Sequence, residues 1–169
     1  MSKIYYYEVQ RFRQKWLWLL ILGMLGIFAW GIIQQLIIGK PWGNNPASNL
    51  GLILLSIIPV GLTSLFILTK LKFSLSDSGI NYQFVPFHLK MRRIEWNRVD
   101  NIELIHYKPI KEFGGWGIRY GAGVKAYIVS GNNGIKLKLK GSKRYLLIGS
   151  NQPEKVKTVL SQLKDKDLI

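Results

Sequence analysis

Two long apolar runs dominate the first seventy residues of the chain. The first runs from Trp16 to Ile38 and the second from Leu50 to Thr69, and neither contains a charged residue. At about 1.5 Å per residue, each run is long enough to cross a hydrocarbon core of about 30 Å. The first run is too long for the core of a signal peptide, and no small-residue cleavage pattern follows it. The pattern therefore predicts two transmembrane helices, at residues 16–38 and 50–69.

Basic residues flank these runs unevenly. The connecting segment, residues 39–49, holds only Lys40. The outer flanks are richer in basic residues, namely Lys3, Arg11, Arg13, Lys15, Lys70 and Lys72. Since Lys and Arg concentrate on the cytoplasmic side, this asymmetry predicts a multi-pass protein of the plasma membrane with residues 39–49 outside and both termini in the cytoplasm.

The segment ahead of the first run, residues 1–15, has an apolar pattern of its own. Tyr5, Val9, Phe12 and Trp16 recur at spacings of 4, 3 and 4 residues. This spacing predicts a short amphipathic helix. Such a helix would either lie on the anionic inner leaflet or pack on the cytoplasmic domain through the same aromatic face, and the sequence leaves both open. Within the first span, Gln34 and Gln35 are expected to make an interhelical or headgroup hydrogen bond.

After Thr69 the apolar period changes from that of a helix to that of a strand. Leu71, Phe73 and Leu75 alternate with polar residues, and turn signals recur about every ten residues. The change of parity before Trp96 predicts a bulge near Arg92–Arg93. Seven antiparallel strands are predicted, at residues 70–76, 80–84, 88–96, 99–107, 125–130, 135–140 and 144–150.

The last residues predict a helix. Pro153 suits the first helical position, and Glu154 complements the positive end of the helix dipole. One apolar stripe follows, made of Val156, Val159, Leu160 and Leu163. The predicted fold class is α+β with a membrane anchor: two spans, then at residues 70–169 a small curved sheet or barrel capped by a C-terminal helix.

Several stretches of this region carry a family resemblance. They read LSDSGINYQFVPF, RRIEWNRVDNIEL, EFGGWGIRYG, AYIVSGNNGIKLKL and IGSNQPEKV. On these stretches the chain resembles small bacterial two-span membrane proteins of unknown function that carry one pleckstrin-homology-like domain. The resemblance covers essentially the whole chain. It implies a membrane-tethered interaction or scaffolding domain, often oligomeric, with no established reaction.

The formal net charge of +15 indicates an anionic partner, either nucleic acid or an anionic membrane surface. Nucleic acid is disfavoured, because the aromatic residues mostly share the apolar parity of the strands and are not interleaved with the lysines. The chain has no cysteine, and its two histidines, His88 and His106, lack the spacing of metal ligands. No nucleophile with a base and no phosphate-loop lysine is present. We therefore expect no enzyme activity, no metal and no cofactor.

The glycine-rich segment between the fourth and fifth predicted strands, residues 108–124, is where function is sought. It is long for a hairpin connection, and such loops are usually functional or disordered. Its glycines do not match a nucleotide-binding pattern. Either Trp116 closes the open end of the barrel, or the loop contacts a partner chain. The candidate contact residues are Phe113, Gly114, Gly115, Trp116, Arg119 and Tyr120.

Two functional hypotheses follow. The first is a non-enzymatic, membrane-anchored interaction or scaffolding protein that self-associates or binds another membrane protein through the loop at residues 112–120. The alternative is a sensor of anionic lipid at the inner leaflet, acting through the N-terminal helix and the basic strand faces. Its candidate lipid contacts are Arg11, Arg13, Lys15, Lys70 and Lys72.

Overall fold

A computed structural model describes residues 2–121 and 123–166 of the chain. The chain divides into two compact units. The helical unit is Arg13–Leu68, and the sheet unit combines Met1–Phe12 with Thr69–Ile169. The helical unit is thus inserted in sequence between the first two strands of the sheet unit, so that the sheet unit is built from both ends of the chain.

The helical unit contains two apolar helices. Helix α1 is Lys15–Ile32, a π-helical turn continues it over Ile33–Ile37, and helix α2 is Asn49–Leu68. The two candidate spans, Lys15–Ile37 and Asn49–Leu68, have mean hydropathies of 2.2 and 2.4. Only 11% and 17% of their most apolar windows are buried. Since the core helix of a soluble protein buries most of such a surface, these exposed apolar faces favour association with a membrane.

The connection between the two helices is held by a glutamine. The Gln35 side-chain amide donates to Ala47 O at 2.7 Å and to Asn49 Oδ1 at 2.9 Å, and its oxygen accepts from Trp42 N at 3.3 Å. The expected interhelical role of this residue is therefore confirmed for its bond to Asn49, which begins α2. The Trp42 ring packs on Gly31, where an added Cβ would lie 2.6 Å from the ring.

The predicted N-terminal helix is wrong, because residues Ile4–Arg11 form a strand, β1. It pairs antiparallel with β2, Lys70–Ser76, from Ile4↔Ser76 to Arg11↔Lys70. Its inward side chains are Tyr6, Glu8 and Gln10, all buried, while Tyr7 and Val9 are exposed. Because two of the inward residues are polar, hydropathy alone does not reveal the period of two, and the helical spacing of the aromatic residues dominates the sequence.

The first sheet has four antiparallel strands in the order β1-β2-β3-β4. Strand β3 is Gly79–Val85, and β4 is only Arg92–Ile94. The strand predicted at residues 88–96 is therefore mostly absent: residues 86–87 form a turn, residues 88–91 are irregular, and Trp96 begins a short 3₁₀ turn. Trp96 Nε1 donates to Ser76 O at 2.9 Å, so the indole ties this turn to the end of β2.

The second sheet has five strands in the order β5-β8-β9-β7-β6. They are β5 Val99–His106, β6 Gly117–Gly121, β7 Val124–Ile128, β8 Asn133–Leu139 and β9 Tyr145–Ser150. Strands β7 and β9 run parallel, contrary to the antiparallel prediction, and every other pair is antiparallel. The described residues form nine strands instead of the predicted seven, and the two sheets do not form a closed barrel.

One hydrophobic core joins the two sheets and the C-terminal helix. Helix α4, Pro153–Lys164, begins where the sequence predicts, and its stripe of Val156, Val159, Leu160 and Leu163 is buried. These residues pack in one cluster with side chains of both sheets, including Phe73, Phe84, Tyr127, Leu137 and Ile148. The α+β class with a C-terminal helix is confirmed at this level.

Candidate functional site

The glycine-rich segment is an ordered helix–turn–strand. Helix α3, Pro109–Phe113, precedes β6, the edge strand of the second sheet. Gly114 ends the helix in the left-handed conformation, at φ 67°, and its amide donates to Ile110 O at 3.0 Å. The next amide, of Gly115, donates to Pro109 O at 2.9 Å. Gly115 and Gly117 also have positive φ, of 117° and 118°, so the backbone takes a path that other residues rarely adopt.

This segment covers the outer face of the second sheet. Phe113 and Trp116 are partly buried against a small cluster formed by Tyr107, Ala126, Ile128 and Leu147. The Phe113 and Tyr107 rings meet edge to face, with centroids 5.9 Å apart. The expectation that Trp116 closes a barrel end is therefore wrong in its geometry: it packs on the face of an open sheet.

The predicted contact residues divide into two groups. Phe113, Trp116 and Arg119 hold the segment together, since Arg119 Nε donates to Trp116 O at 2.9 Å. Tyr120 is instead 60% exposed, with the Lys125 ammonium 5.1 Å from its ring centroid. The pKa of Lys125 is raised, first by a hydrogen bond with Tyr120 and then by one with Tyr127. The prediction did not include Ile110, which is 63% exposed on α3.

A surface groove of about 390 Å³ lies beside α3. Lys108, Lys111 and Ile110 contribute to its lining together with Trp116, His106 and Asn132. Glu112, the acidic residue nearest in sequence, accepts from the Lys108 amide at 2.8 Å through its Oε1. One oxygen of its carboxylate is thereby bonded to the backbone at the start of α3. Sequence reasoning missed this groove, because its walls come from α3 and from the separate turns after β5 and before β8.

A buried polar cluster joins β1 to the end of β9. The Glu8 side chain is 5% exposed and accepts from Tyr6 Oη at 2.5 Å, Ser150 Oγ at 2.7 Å and Asn151 N at 2.9 Å. Gln10 Nε2 donates to Gly149 O at 2.6 Å. Burial, reinforced by the hydrogen bond to Glu8, raises the pKa of the Tyr6 hydroxyl. These bonds fix the N-terminal strand to a segment more than 130 residues away in the chain.

The candidate lipid contacts lie in both units. Arg11 and Lys70 are cross-strand partners, and Lys72 is the partner of Val9, two residues from Arg11 on the same outward face. Arg13 and Lys15 precede or begin α1 in the helical unit, where they line a groove with Trp18 and Leu22. The structure thus places three of the five cations side by side on one sheet.

The two histidines occupy different environments. His88 is 6% exposed, and its Nδ1 accepts from Phe84 N at 3.2 Å, which requires a neutral ring. Burial, then the positive charges of Arg92 and Lys125, lower the pKa of His88. His106 is exposed, and its ring nitrogens face the amides of Asn132 and Asn133. Across residues 2–121 and 123–166, no three His, Cys, Asp or Glu side chains group as metal ligands.

Comparison of the chain with protein-family models, with curated proteins and with solved structures gives no match. Function is therefore argued from the residues and their geometry alone.

Proposed function

We propose that the protein is a non-enzymatic, membrane-anchored interaction module that self-associates or binds another membrane protein. In this proposal α1 and α2 span the plasma membrane, both termini are cytoplasmic, and the sheet unit is a pleckstrin-homology-like domain at the inner face. The distribution of Lys and Arg around the two apolar helices supports the orientation. The weak polarity of the exposed helix surfaces supports the anchor.

The observation that carries the proposal is the exposure of large side chains on a folded segment that packs on the second sheet. Ile110 is 63% exposed and Tyr120 is 60% exposed, while Trp116 and the glycine turn hold α3 and β6 in place. Aromatic residues presented on a preorganised surface contribute strongly to protein interfaces, since little conformational entropy is lost when they bind. We therefore assign one partner contact to Ile110 on α3. A second is assigned to Tyr120, which faces Lys125 across the β6–β7 pair, on the side of the sheet opposite Trp116.

Site-specific photocrosslinking in intact membranes tests this function. A photoreactive residue placed separately at Ile110 and at Tyr120 is expected to give discrete protein adducts, including a dimer of this chain if it self-associates. The same residue at Lys140, which is exposed on the β8–β9 hairpin, is the matched control. Adducts of equal yield at all three positions, or none at Ile110 and Tyr120, would contradict the proposal.

A second candidate function is binding of anionic lipid, and the register of β1 with β2 favours it. Arg11 and Lys70 lie directly opposite one another, and like charges so placed are destabilising unless an anion lies between them. Arg11 is four residues from the start of α1, and Lys70 is two residues from the end of α2. If the two helices span a bilayer, these cations lie near its headgroups, where each contributes about 1 kcal/mol of attraction.

Reconstitution in nanodiscs distinguishes this candidate. Anionic lipid is expected to stabilise the natural protein against urea relative to zwitterionic lipid, and added salt should reduce the difference. The double variant Arg11→Gln and Lys70→Gln should lose most of that dependence. A variant whose lipid dependence equals that of the natural protein would refute this function.

A further inference from the structure

The groove beside α3 has a chemistry of its own, and this inference rests on the proposed function of an interaction module. Lys108 directly precedes α3 and Lys111 lies within it, and both lysines line the groove. Both are exposed. Among the described residues that line the groove there are two lysines and no carboxylate. The groove therefore has a positive rim.

Apolar surface accompanies this charge. Ile110 stands between the two lysines in sequence and is 63% exposed, and the partly buried Trp116 also lines the groove. Asn132 and His106 contribute amide and imidazole groups that hydrogen-bond to one another or to Asn133. A ligand that fits this set carries carboxylates for the lysines and at least one apolar side chain for Ile110 and Trp116.

Glu112 offsets only part of this charge, since the two lysines and one glutamate leave a formal charge of +1. Glu112 directs Oε1 to the Lys108 amide at 2.8 Å, a bond that secures the first turn of α3. The chain as a whole has 24 basic and 9 acidic residues, so a second copy of it would bring further positive charge to this surface. Charge complementarity thus points away from another copy at the groove itself and toward an acidic partner.

We propose that the groove formed by Lys108, Ile110, Lys111 and Trp116 binds an acidic segment of a partner protein. The carboxylates of that segment pair with Lys108 and Lys111, and an apolar side chain packs on Ile110 and the Trp116 ring. The groove has a volume of about 390 Å³ and is largely open to solvent, so it contacts a short part of the segment.

The test uses the full chain in nanodiscs of zwitterionic lipid and a fluorescent oligoglutamate peptide with one central leucine. Binding is followed by anisotropy at low and at physiological salt. The natural protein is expected to bind the peptide, and the double variant Lys108→Glu and Lys111→Glu to raise Kd at least about tenfold. The control variant Lys140→Glu and Lys143→Glu makes the same change of charge at exposed positions of the β8–β9 hairpin and should change Kd less than about twofold.

Two further arms separate the components of the site. A peptide with the leucine replaced by glycine should bind the natural protein more weakly than the leucine peptide does. The Ile110→Ser variant should bind this glycine peptide with the same affinity as the natural protein does. Ile110 is exposed, so its replacement leaves the fold intact. Anionic vesicles offered in place of the peptide test whether lipid occupies the groove. Vesicle binding that depends on Lys108 and Lys111 while the peptide does not bind would overturn the proposal.

Equal losses in the groove variant and the control would also overturn it, since they would show only general attraction to a basic protein. The proposed function would survive that result if Ile110 and Tyr120 still crosslink to a protein in membranes. Conversely, the peptide could bind at the groove while no crosslink forms in membranes. That result would support the site for an acidic segment and contradict the proposed contact with a membrane partner. The two ideas therefore fail through different measurements.

Discussion

Replacing Glu8 tests whether the N-terminal strand is an integral part of the sheet unit. Glu8 is 5% exposed, with Tyr6 and Ser150 donating to its Oε2 and the Asn151 amide donating to its Oε1. The latter two donors are 142 and 143 residues away in sequence. A Glu8→Ala substitution removes the common acceptor and leaves three donors near or within the core.

The size of the effect follows from those three bonds. A hydrogen bond to a charged group contributes about 1.5–3 kcal/mol, and an abandoned buried donor costs about 1–3 kcal/mol. The three donors share one acceptor, so their costs do not add, and we expect about 3–5 kcal/mol in total. Since a domain is stable by only about 5–15 kcal/mol, this loss is a large part of the whole.

A Glu8→Gln substitution is the graded comparison. It keeps one oxygen as an acceptor, and the Ser150 hydroxyl can rotate to accept from the new amide, so the expected loss is about 1–2 kcal/mol. The matched control is Glu95→Ala, which removes the same charge from an exposed position and should cost less than about 0.5 kcal/mol. The predicted order of stability is natural protein and control, then the glutamine variant, then the alanine variant.

Pulse proteolysis of the full chain in detergent micelles across a urea series measures these values, because it reports unfolding of the sheet unit while the apolar helices stay in the micelle. Hydrogen exchange at β1 and β9 then locates the loss. An alanine variant within about 0.5 kcal/mol of the Glu95 control would refute the reasoning, since it would mean that the buried carboxylate does not hold the two ends of the chain together.

Three other substitutions test the fold and its pH dependence. Gly79→Ala should destabilise the sheet unit by more than about 3 kcal/mol, because the new Cβ would lie 2.2 Å from Ile94 O. The control Gly141→Ala has open space around the new Cβ and should cost only the backbone strain of about 1 kcal/mol. Urea midpoints measure both costs, and equal values would contradict the predicted clash. The pKa of His88 is lowered in the folded protein, so the unfolded chain takes up the proton first and stability should fall as the pH drops below about 6.5 toward the folded pKa. A His88→Gln variant should lose this pH dependence of stability. If the variant keeps it, another titrating group is responsible. Leu160→Ala should lower the free energy of unfolding by about 2–5 kcal/mol, because α4 closes the core. The exposed control Lys157→Ala should lower it by less than about 0.5 kcal/mol. Similar urea midpoints for the two variants would contradict the packing of α4 on the core.

Part of the candidate surface was accessible from the sequence. The glycines and aromatics of residues 112–120 marked a structured loop, and Tyr120 is indeed exposed there. The roles of Trp116 and Arg119 were not accessible, because they depend on which face of which sheet the segment covers. The groove is lined by α3 and by the turn at Asn132, which are about twenty residues apart in sequence, so no local pattern predicts it.

Short-range periodic patterns in the sequence account for the other features that were predicted correctly. The two uncharged runs predicted both apolar helices to within a few residues, and the stripe of α4 predicted its buried side chains. The alternation of β2 predicted the burial of Leu71, Phe73 and Leu75, but not that of Ser74 and Ser76. Each of these features follows from a local hydrophobic period that places the apolar side chains on one face of the element.

Other features depend on pairing between distant segments, which local patterns do not encode. Residues 4–11 satisfy a helical spacing, yet they form a strand because β2 offers a backbone partner and Glu8 and Gln10 find donors and acceptors on β9 and beyond. The parallel pairing of β7 with β9 and the edge position of β6 likewise depend on contacts between separate segments. Hydrogen bonds between residues more than 130 positions apart leave no period in the sequence, so their outcome becomes visible only when the chain is folded.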